Sequence, residues 1–216
     1  MSDDLIEQLE DKISIFEPQY EENDCFSTCL RNIIRRFSDR KTGKKTSFNI
    51  SKSDLNEFTR YNKTTASTAD MKYTKKKLDE ELKAENIRAV FEFTSQSKSY
   101  MLDQDLDVGF ISYILSDQDK SLPIVSFSTD YYDDSNFPWE VTERFRVPHT
   151  VIILDVEDEE KIYIWDGLIS FKNDNDIGDG IIDLPTERFI RYWDNYYYSK
   201  EISWLSLESQ MEVDRY

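Results

Sequence analysis

The chain has few of the residues from which most reactive sites are built. Its 216 residues include one histidine, two cysteines, five glycines and five prolines. The longest aliphatic run, Val151 to Leu154, is far shorter than the roughly 20 residues of a membrane-spanning helix. No GxxxxGK[ST] loop is present to bind phosphates, and we predict no cofactor.

The sequence also indicates the cellular compartment of the protein. The acidic start, Met1 to Asp4, is unlike a secretory signal. The two cysteines lie four residues apart on one predicted helix, which is poor geometry for a disulfide. We therefore expect a soluble, cytoplasmic protein that does not associate with membranes, and the sequence is silent on its oligomeric state.

Charge is distributed unevenly along the chain. The whole chain has 27 basic and 44 acidic residues, a net charge of −17. The basic segment, Arg31 to Lys77, has 14 basic and four acidic residues. One interpretation is a solvated helical segment that complements an acidic remainder, and the other is a surface that steers an acidic peptide or protein substrate. Aromatic residues are sparse there, so nucleic acid is not the expected partner.

Cys25 lies at the predicted start of an amphipathic helix. Asp24 is an acceptable N-cap, and apolar residues recur at helical spacing from Cys29 to Phe37. A helix N-terminus stabilises an anion, and the thiolate is the reactive form of cysteine. The sequence therefore predicts a nucleophilic Cys25, whereas Cys29 is expected to be a small core residue.

The single histidine, His149, begins an apolar strand that is predicted to return as a hairpin. Val151 to Leu154 and Ile162 to Trp165 are two β-rich runs, and the acidic stretch Glu157 to Glu160 separates them. The second run ends at Asp166, so the hairpin brings a carboxylate back towards the histidine.

A register for this hairpin follows from placing its turn at Glu157 and Asp158. Directly opposed side chains have Cβ atoms about 4.5–5.5 Å apart, within reach of an imidazole–carboxylate hydrogen bond. Such a bond orients the imidazole and supports its protonated form. The expected cross-strand pairs are Val151 with Ile164, Ile153 with Ile162, and His149 with Asp166.

The remaining periodicity predicts elements on both sides of these motifs. Helices are expected over 4–14, 54–61, 73–85, 106–115 and 186–198, and strands over 88–94, 123–128 and 202–207. One domain, 1–216, is the default for a chain of this length.

Three segments, in order along the chain, resemble the sequence boxes of one peptidase family. Gln19 to Leu30 resembles the Q-x4-D-C-G-x-x-C-L box of the C39 and C39-like peptidases, which are papain-fold cysteine proteases. Pro148-His149 and its strand, followed by Ile164 to Gly167, are similar to the G-H-[apolar]…D-P segment. Leu184 to Trp193 is similar to the L-x-x-E-x-F-x-x-x-W helix that commonly closes the domain.

This resemblance implies roles for four residues. Cys25 is the nucleophile, His149 the base, Asp166 the orienting acid, and Gln19 the oxyanion donor together with the Cys25 backbone N–H. The implied fold is α+β and papain-like, with a helical lobe carrying the nucleophile helix packed against an antiparallel β-sheet lobe. The implied activity is that of a cysteine peptidase or amidase that cleaves a peptide or isopeptide bond.

The chain departs from the family pattern beside each reactive residue. Phe26 and Pro148 stand where glycine is common, and Gly167 follows Asp166 where proline is common. We expect Phe26 to narrow the cleft beside the thiol and to alter substrate choice. The best-known C39 domains remove leaders from exported peptides, but without a transmembrane segment that activity is not carried over.

Three other interpretations remain open from the sequence. A papain-like thiol acyltransferase would pass the acyl group to an amine or carrier protein instead of water. A non-catalytic C39-like domain would bind a peptide or partner in its cleft. A zinc site could use Cys25, Cys29, His149 and Asp166, although no CxxC or HxxxH spacing supports it, and we predict no metal.

Overall fold

The structure, a computed structural model, is α+β with an antiparallel sheet. It describes residues 3–18, 25–42, 68–97, 106–128, 148–157, 160–167, 180–194 and 199–207. The helices in these ranges are α1 (Asp3–Ile13), α2 (Cys25–Thr42), α3 (Thr68–Ala84), α4 (Val108–Ser116) and α5 (Thr186–Asp194). The strands are β1 (Ala89–Ser97), β2 (Ile124–Ser128), β3 (Pro148–Glu157), β4 (Lys161–Trp165), β5 (Ile181–Pro185) and β6 (Ser199–Leu207).

Six strands form one sheet in the order β1-β6-β2-β3-β4-β5. Every neighbouring pair is antiparallel. The last strand, β6, inserts between β1 and β2, so the middle of the sheet depends on pairing between segments far apart in sequence. β3, the strand that carries His149, lies between β2 and β4, so both of its edges are hydrogen-bonded to neighbouring strands.

Helices cover both faces of the sheet in the described part of the chain. On one face, α1, α2 and α3 pack against a core that includes Ile152 and Trp165. On the other face, α4 and α5 pack against a core that includes Ile153 and Ile164. Successive strand residues point to opposite faces, so an unbroken apolar run such as Val151 to Leu154 is what a strand buried on both sides requires.

Most predicted elements within the described ranges are confirmed. The helices predicted over 4–14, 73–85, 106–115 and 186–198 correspond to α1, α3, α4 and α5. The strands predicted over 88–94, 123–128 and 202–207 correspond to β1, β2 and β6. The helix predicted over 54–61 lies outside the described residues. Strand β5 was missed, although Ile181, Ile182 and Leu184 offered a short apolar signal just before the proline that ends it.

The predicted hairpin exists, but its predicted register is wrong. Ile153 pairs with Ile164, and Ile152 pairs with Trp165. The turn lies later than expected because Glu157 is still in the strand and pairs with Lys161, and a β-bulge between Ile153 and Asp155 then absorbs one residue. The net shift at Ile153 is two residues, which keeps Ile153 and the strand residues before it on their predicted faces.

Polar contacts fasten the first helices to this hairpin. Lys12 Nζ donates to the Leu154 carbonyl at 2.8 Å and pairs with the Asp155 carboxylate at 2.8 Å. The fully buried Asn32 side chain accepts from the Glu17 N–H and donates to the Glu17 carbonyl, both at 2.9 Å. These bonds fix α1 and α2 relative to β3, which carries His149.

No helix in the described ranges is long and apolar enough to cross a membrane.

Candidate active site

Cys25 is the first residue of α2 and lies against the start of β3. Its side chain is partly exposed, whereas Cys29, one turn later, is buried, and both are free cysteines. The buried apolar face of α2, which includes Leu30 and Ile34, holds the helix on the sheet. This packing points the N-terminal end of α2, with its partial positive charge, at the place where a thiolate would form.

His149 and Asp166 form a buried hydrogen bond. His149 Nε2 lies 2.9 Å from Asp166 Oδ1, and the two residues are 4 % and 0 % exposed. The Asp166 backbone N–H donates to the Gly180 carbonyl at 2.9 Å, which extends the β4–β5 ladder by one residue. Gly180 has a φ of 78°, a left-handed conformation that favours glycine, so the chain enters β5 there with little strain.

The His149–Asp166 contact was predicted, but its geometry differs from the prediction. Continuing the observed register by one pair would set Asp166 opposite Val151, two residues from His149. The two side chains are therefore diagonal neighbours on one face of the hairpin, a separation that long side chains can bridge. The hydrogen bond survives the wrong register because an even shift leaves both residues on the same face.

The other ring nitrogen of His149 is left for Cys25, since Nε2 is engaged by Asp166. Burial by itself would lower the pKa of His149, but the charge and hydrogen bond of Asp166 and the contact with Cys25 raise it from 6.5 to about 10. Burial likewise acts to raise the pKa of Cys25, but the hydrogen bond and charge of His149 and hydrogen bonds from Thr150 bring it below 9.0. Both shifts favour a thiolate–imidazolium pair over the neutral pair.

The pKa of Cys29 is shifted in the opposite direction to that of Cys25. Its pKa is raised well above 9.0 by burial, and the negative charges of Cys25 and Asp166 add to the effect. Its neutral Sγ–H donates to the Thr150 carbonyl at 3.4 Å. The predicted structural role of Cys29 is consistent with this placement in the core beneath α2.

Of the four predicted site residues, the structure brings three together. Cys25, His149 and Asp166 form one connected group at the N-terminus of α2 and the adjoining ends of β3 and β4. Gln19, the predicted oxyanion donor, lies outside the described residues, as does the predicted N-cap Asp24. Sequence reasoning missed Thr150, whose contact with Cys25 depends on how α2 docks onto β3.

Phe26 does not narrow a cleft, and that expectation was wrong. Its side chain is 2 % exposed and belongs to the core beneath α2. Its ring meets the ring of Phe91 edge to face, with centroids 6.5 Å apart. Consecutive helical residues point about 100° apart, so Cys25 can face the strand end while Phe26 enters the core. The other unusual neighbour, Pro148, begins β3 and pairs with Ser128.

Several basic residues in the described part of the basic segment make ion pairs within the chain. Arg31 and Arg35 make ion pairs with Glu17 at 3.2 and 2.5 Å. Lys75 pairs with Asp79 at 3.2 Å. These contacts fit the interpretation of a helical segment that complements acidic neighbours, and an acidic substrate stays a prediction.

Metal ligation was the remaining alternative for these side chains. Among the residues that the structure describes, no three His, Cys, Asp or Glu side chains are arranged to hold a metal ion. His149 instead hydrogen-bonds to Asp166 and interacts with Cys25, whose pKa it lowers. This is the arrangement that acid–base chemistry at a thiol requires.

Comparison with protein-family models and with curated proteins found no match to this chain. The resemblance to the C39-like peptidases therefore depends on the sequence motifs alone.

Proposed function

We propose that this protein is a thiol-dependent hydrolase, a C39-like cysteine peptidase or amidase with a papain-like arrangement, that cleaves a peptide or isopeptide bond. One observation carries the proposal: His149 is hydrogen-bonded at 2.9 Å to the buried Asp166 and also contacts Cys25 at a helix N-terminus. An orienting acid, a base and a nucleophile in this sequence of contacts are the parts of a Cys-His-Asp triad.

The proposed reaction begins from the charged pair. The Cys25 thiolate attacks the carbonyl carbon of the scissile bond, and the carbonyl oxygen becomes an oxyanion. The backbone N–H of Cys25 and, by the family resemblance, the side chain of Gln19 would donate to that oxygen. The His149 imidazolium gives its proton to the leaving amine, which departs and leaves a thioester on Cys25.

The second half of the reaction restores the enzyme. The now neutral His149 takes a proton from a water molecule as that water attacks the thioester carbonyl. The carbon–sulfur bond breaks, the acid product leaves, and Cys25 returns as a thiolate beside the imidazolium. Asp166 keeps its negative charge throughout and supports the protonated imidazole, since a buried imidazolium without a counter-charge would be costly.

The proposed setting is a reducing one, such as the cytoplasm. The nucleophile must be a reduced thiol to react, and both cysteines of the chain are free in the structure. A thiol whose pKa is lowered by a neighbouring histidine is also unnecessary for a domain that only binds a partner. This favours catalysis over the non-catalytic alternative.

The decisive experiment traps the acyl-enzyme. The protein is incubated with a library of peptide thioesters and amides, and the mass of the Cys25-containing fragment is measured. The proposal predicts a mass increase equal to the acyl group, lost on standing in water, and absent in Cys25→Ala. Cys29→Ala is the matched control, because it removes a buried thiol from the same helix and should still form the adduct.

The same trapped intermediate separates the alternatives. Addition of amines to the acyl-enzyme would give transfer products instead of free acid if the protein were an acyltransferase. If no electrophilic peptide forms an adduct at Cys25 in a folded protein, the hydrolase proposal fails. An adduct that forms equally well in His149→Gln would also contradict the triad, since the base would then be dispensable.

A further inference from the structure

Glu17, in the connection between α1 and α2, is held by three side chains of α2. The fully buried Asn32 side chain accepts from the Glu17 N–H and donates to the Glu17 carbonyl, both at 2.9 Å. The Glu17 carboxylate makes ion pairs with Arg31 and Arg35 at 3.2 and 2.5 Å. We call Arg31, Asn32 and Arg35 the Glu17 clamp, because together they fix both the backbone and the side chain of Glu17 on the nucleophile helix.

Asn32 is the main element of this clamp. A side-chain amide that bonds to the N–H and to the carbonyl of one residue fixes the position and the direction of its backbone, and Asn32 has no exposed surface. The Glu17 side chain is 42 % exposed, so its ion pairs are screened by solvent and each contributes little. Phe16 adds an apolar anchor, since its ring meets the Trp165 ring edge to face with centroids 5.1 Å apart.

The clamp and the candidate nucleophile lie on the same side of α2. Asn32 follows Cys25 by seven residues, which in an α-helix complete two turns to within about 20° and rise about 10 Å. Trp165, which anchors Phe16, directly precedes Asp166. The connection is therefore fastened both to the helix that carries the nucleophile and to the strand that leads to the orienting acid.

The chain has little slack between the clamp and the predicted oxyanion donor, Gln19. Pro18 has a fixed φ, and the residue before a proline is restricted to extended conformations. Two extended residues reach at most about 7 Å, whereas Cys25 lies about 10 Å from Asn32 along the helix. A donor on residue 19 can therefore meet an oxyanion at Cys25 only if the backbone leaves Glu17 towards the N-terminus of α2. The two bonds from Asn32 fix the backbone at that point.

We propose that Asn32 is a positioning residue for the oxyanion donor, because by clamping the Glu17 backbone it sets how Gln19 approaches Cys25. The proposal rests on the proposed function, from which it takes the role of Gln19. Oxyanion donors are effective when they are already in place, and an error of about 1 Å in such a site can cost 10²-fold in rate. A clamp two residues away in the chain is close enough to control that error.

The test compares two reactions of the same sulfur. Acylation of Cys25 by p-nitrophenyl acetate passes through a tetrahedral oxyanion and releases p-nitrophenolate, whereas alkylation by iodoacetamide displaces iodide and forms no oxyanion. Asn32→Leu keeps a similar side-chain volume and removes both bonds to Glu17. We expect acylation to slow by about tenfold or more, while alkylation stays within about twofold of the wild-type rate. A general disturbance of the structure around the sulfur would slow both reactions.

Gln19→Ala identifies the group through which Asn32 acts. It should slow acylation on the order of 10²-fold, as the loss of one oxyanion donor does. The double variant Gln19→Ala/Asn32→Leu should be acylated no more slowly than Gln19→Ala, because no donor is left to position. Ile33→Ala is the matched control, since it removes a buried side chain from the core side of the same helix and should leave the ratio of acylation to alkylation unchanged.

Wild-type acylation separates this inference from the proposed function. If the wild-type protein is not acylated at Cys25, the proposed function fails and the inference fails with it. If the wild type is acylated, three results overturn the inference alone: a wild-type acylation rate in Asn32→Leu, a wild-type rate in Gln19→Ala, or a further loss in the double variant.

Glu17→Ala decides the matter if Asn32→Leu does not fold. It removes both partly exposed ion pairs and keeps the backbone bonds to Asn32, so the protein should remain folded. Acylation about threefold slower, with alkylation unchanged and with no additional loss in the Gln19→Ala background, supports the inference. An unchanged acylation rate overturns it.

Discussion

The His149 imidazole reaches the Asp166 carboxylate diagonally across the β3–β4 hairpin, with Nε2 2.9 Å from Oδ1. Both side chains are almost completely buried, and Asp166 is held in place by a backbone bond to Gly180. The carboxylate can therefore fix which ring nitrogen of His149 is left for Cys25.

The first prediction concerns the two cysteines. Cys25 is partly exposed with a lowered pKa, whereas Cys29 is buried with a pKa raised well above 9.0. At pH 7, iodoacetamide should modify Cys25 at least about tenfold faster than Cys29, which corresponds to about 1.4 kcal/mol. Peptide mass mapping over a time course measures the ratio.

His149→Gln is the companion variant for this measurement. It removes the positive charge beside the sulfur, so alkylation of Cys25 at pH 7 should become slower. Equal labelling of the two cysteines in the folded wild-type protein would contradict the assigned electrostatics.

The second prediction concerns the pH dependence of acylation by p-nitrophenyl acetate. The rate should rise with pH as the charged pair forms, at a pH below the ordinary value of 9.0 for a thiol, and should fall as the imidazolium loses its proton near pH 10. The two limits belong to the coupled Cys25–His149 pair and not to either residue alone.

Asp166→Asn tests the origin of the alkaline limit. The amide keeps the size of the carboxylate but not its charge, so the fall in rate should move to lower pH. The maximal rate should drop on the order of 10²-fold or more, within the range expected when acid–base assistance is impaired. An unchanged alkaline limit would mean that Asp166 does not support the imidazolium.

The third prediction concerns stability, measured in Cys25→Ala so that the thiol does not titrate. Burial acts to lower the pKa of His149 in the folded protein, but the charge and hydrogen bond of Asp166, together with Cys25, raise it, and the contribution of Asp166 remains in this variant. The contribution of His149 to folding is fully present below pH 6.5 and is lost as the pH rises towards the folded-state value. The free energy of unfolding in urea should therefore be lower at pH 9 than at pH 6.

Adding Asp166→Asn to this background supplies the control. Without the carboxylate the pKa of His149 is no longer raised, so the difference between pH 6 and pH 9 should shrink. The variant should also be less stable at pH 6, by about 3 kcal/mol, because the buried ion pair has lost one of its partners. A pH dependence identical in both proteins would assign it to other groups.

The fourth prediction separates Phe26 from the chemistry. Phe26 is a core residue against Phe91, so Phe26→Ala should lower the free energy of unfolding by about 3–5 kcal/mol. Phe26→Leu should cost less, about 1.5 kcal/mol, because it retains most of the volume. Urea unfolding measures both changes.

The leucine variant should alkylate at Cys25 at close to the wild-type rate, since its thiol environment is preserved. A stable Phe26→Ala protein with an altered choice of peptide would instead restore Phe26 to the cleft.

Local pattern was sufficient for much of the fold. Helical spacing marked α1 and α2, and the two β-rich runs marked β3 and β4. The acidic stretch between those runs led to a wrong predicted register, because charged residues such as Glu157 can extend a strand beyond the buried part of the sheet. The insertion of β6 between β1 and β2 has no local signal, since it is decided by which distant segments best bury one another.

The amino-acid sequence by itself determined which residues were available for the candidate site. A single histidine, a cysteine at a helix start and an aspartate at the end of the returning strand left few combinations, and the alternation of strand residues kept His149 and Asp166 on one face even when the register was wrong. Those features are local, or depend only on whether a register shift is an even number of residues. They therefore remain correct even when the exact strand pairing is predicted wrongly.

Tertiary structure decided the environment of each residue. It placed Phe26 in the core, shifted the pKa values of Cys25 and Cys29 in opposite directions, and paired the buried hydroxyls of Ser126 and Thr150 across two strands. The pKa of a thiol and the path of a hydrogen bond depend on burial and on neighbours from other strands and helices. No spacing along the chain encodes those neighbours, because they exist only once α2 has packed against β3 and β2.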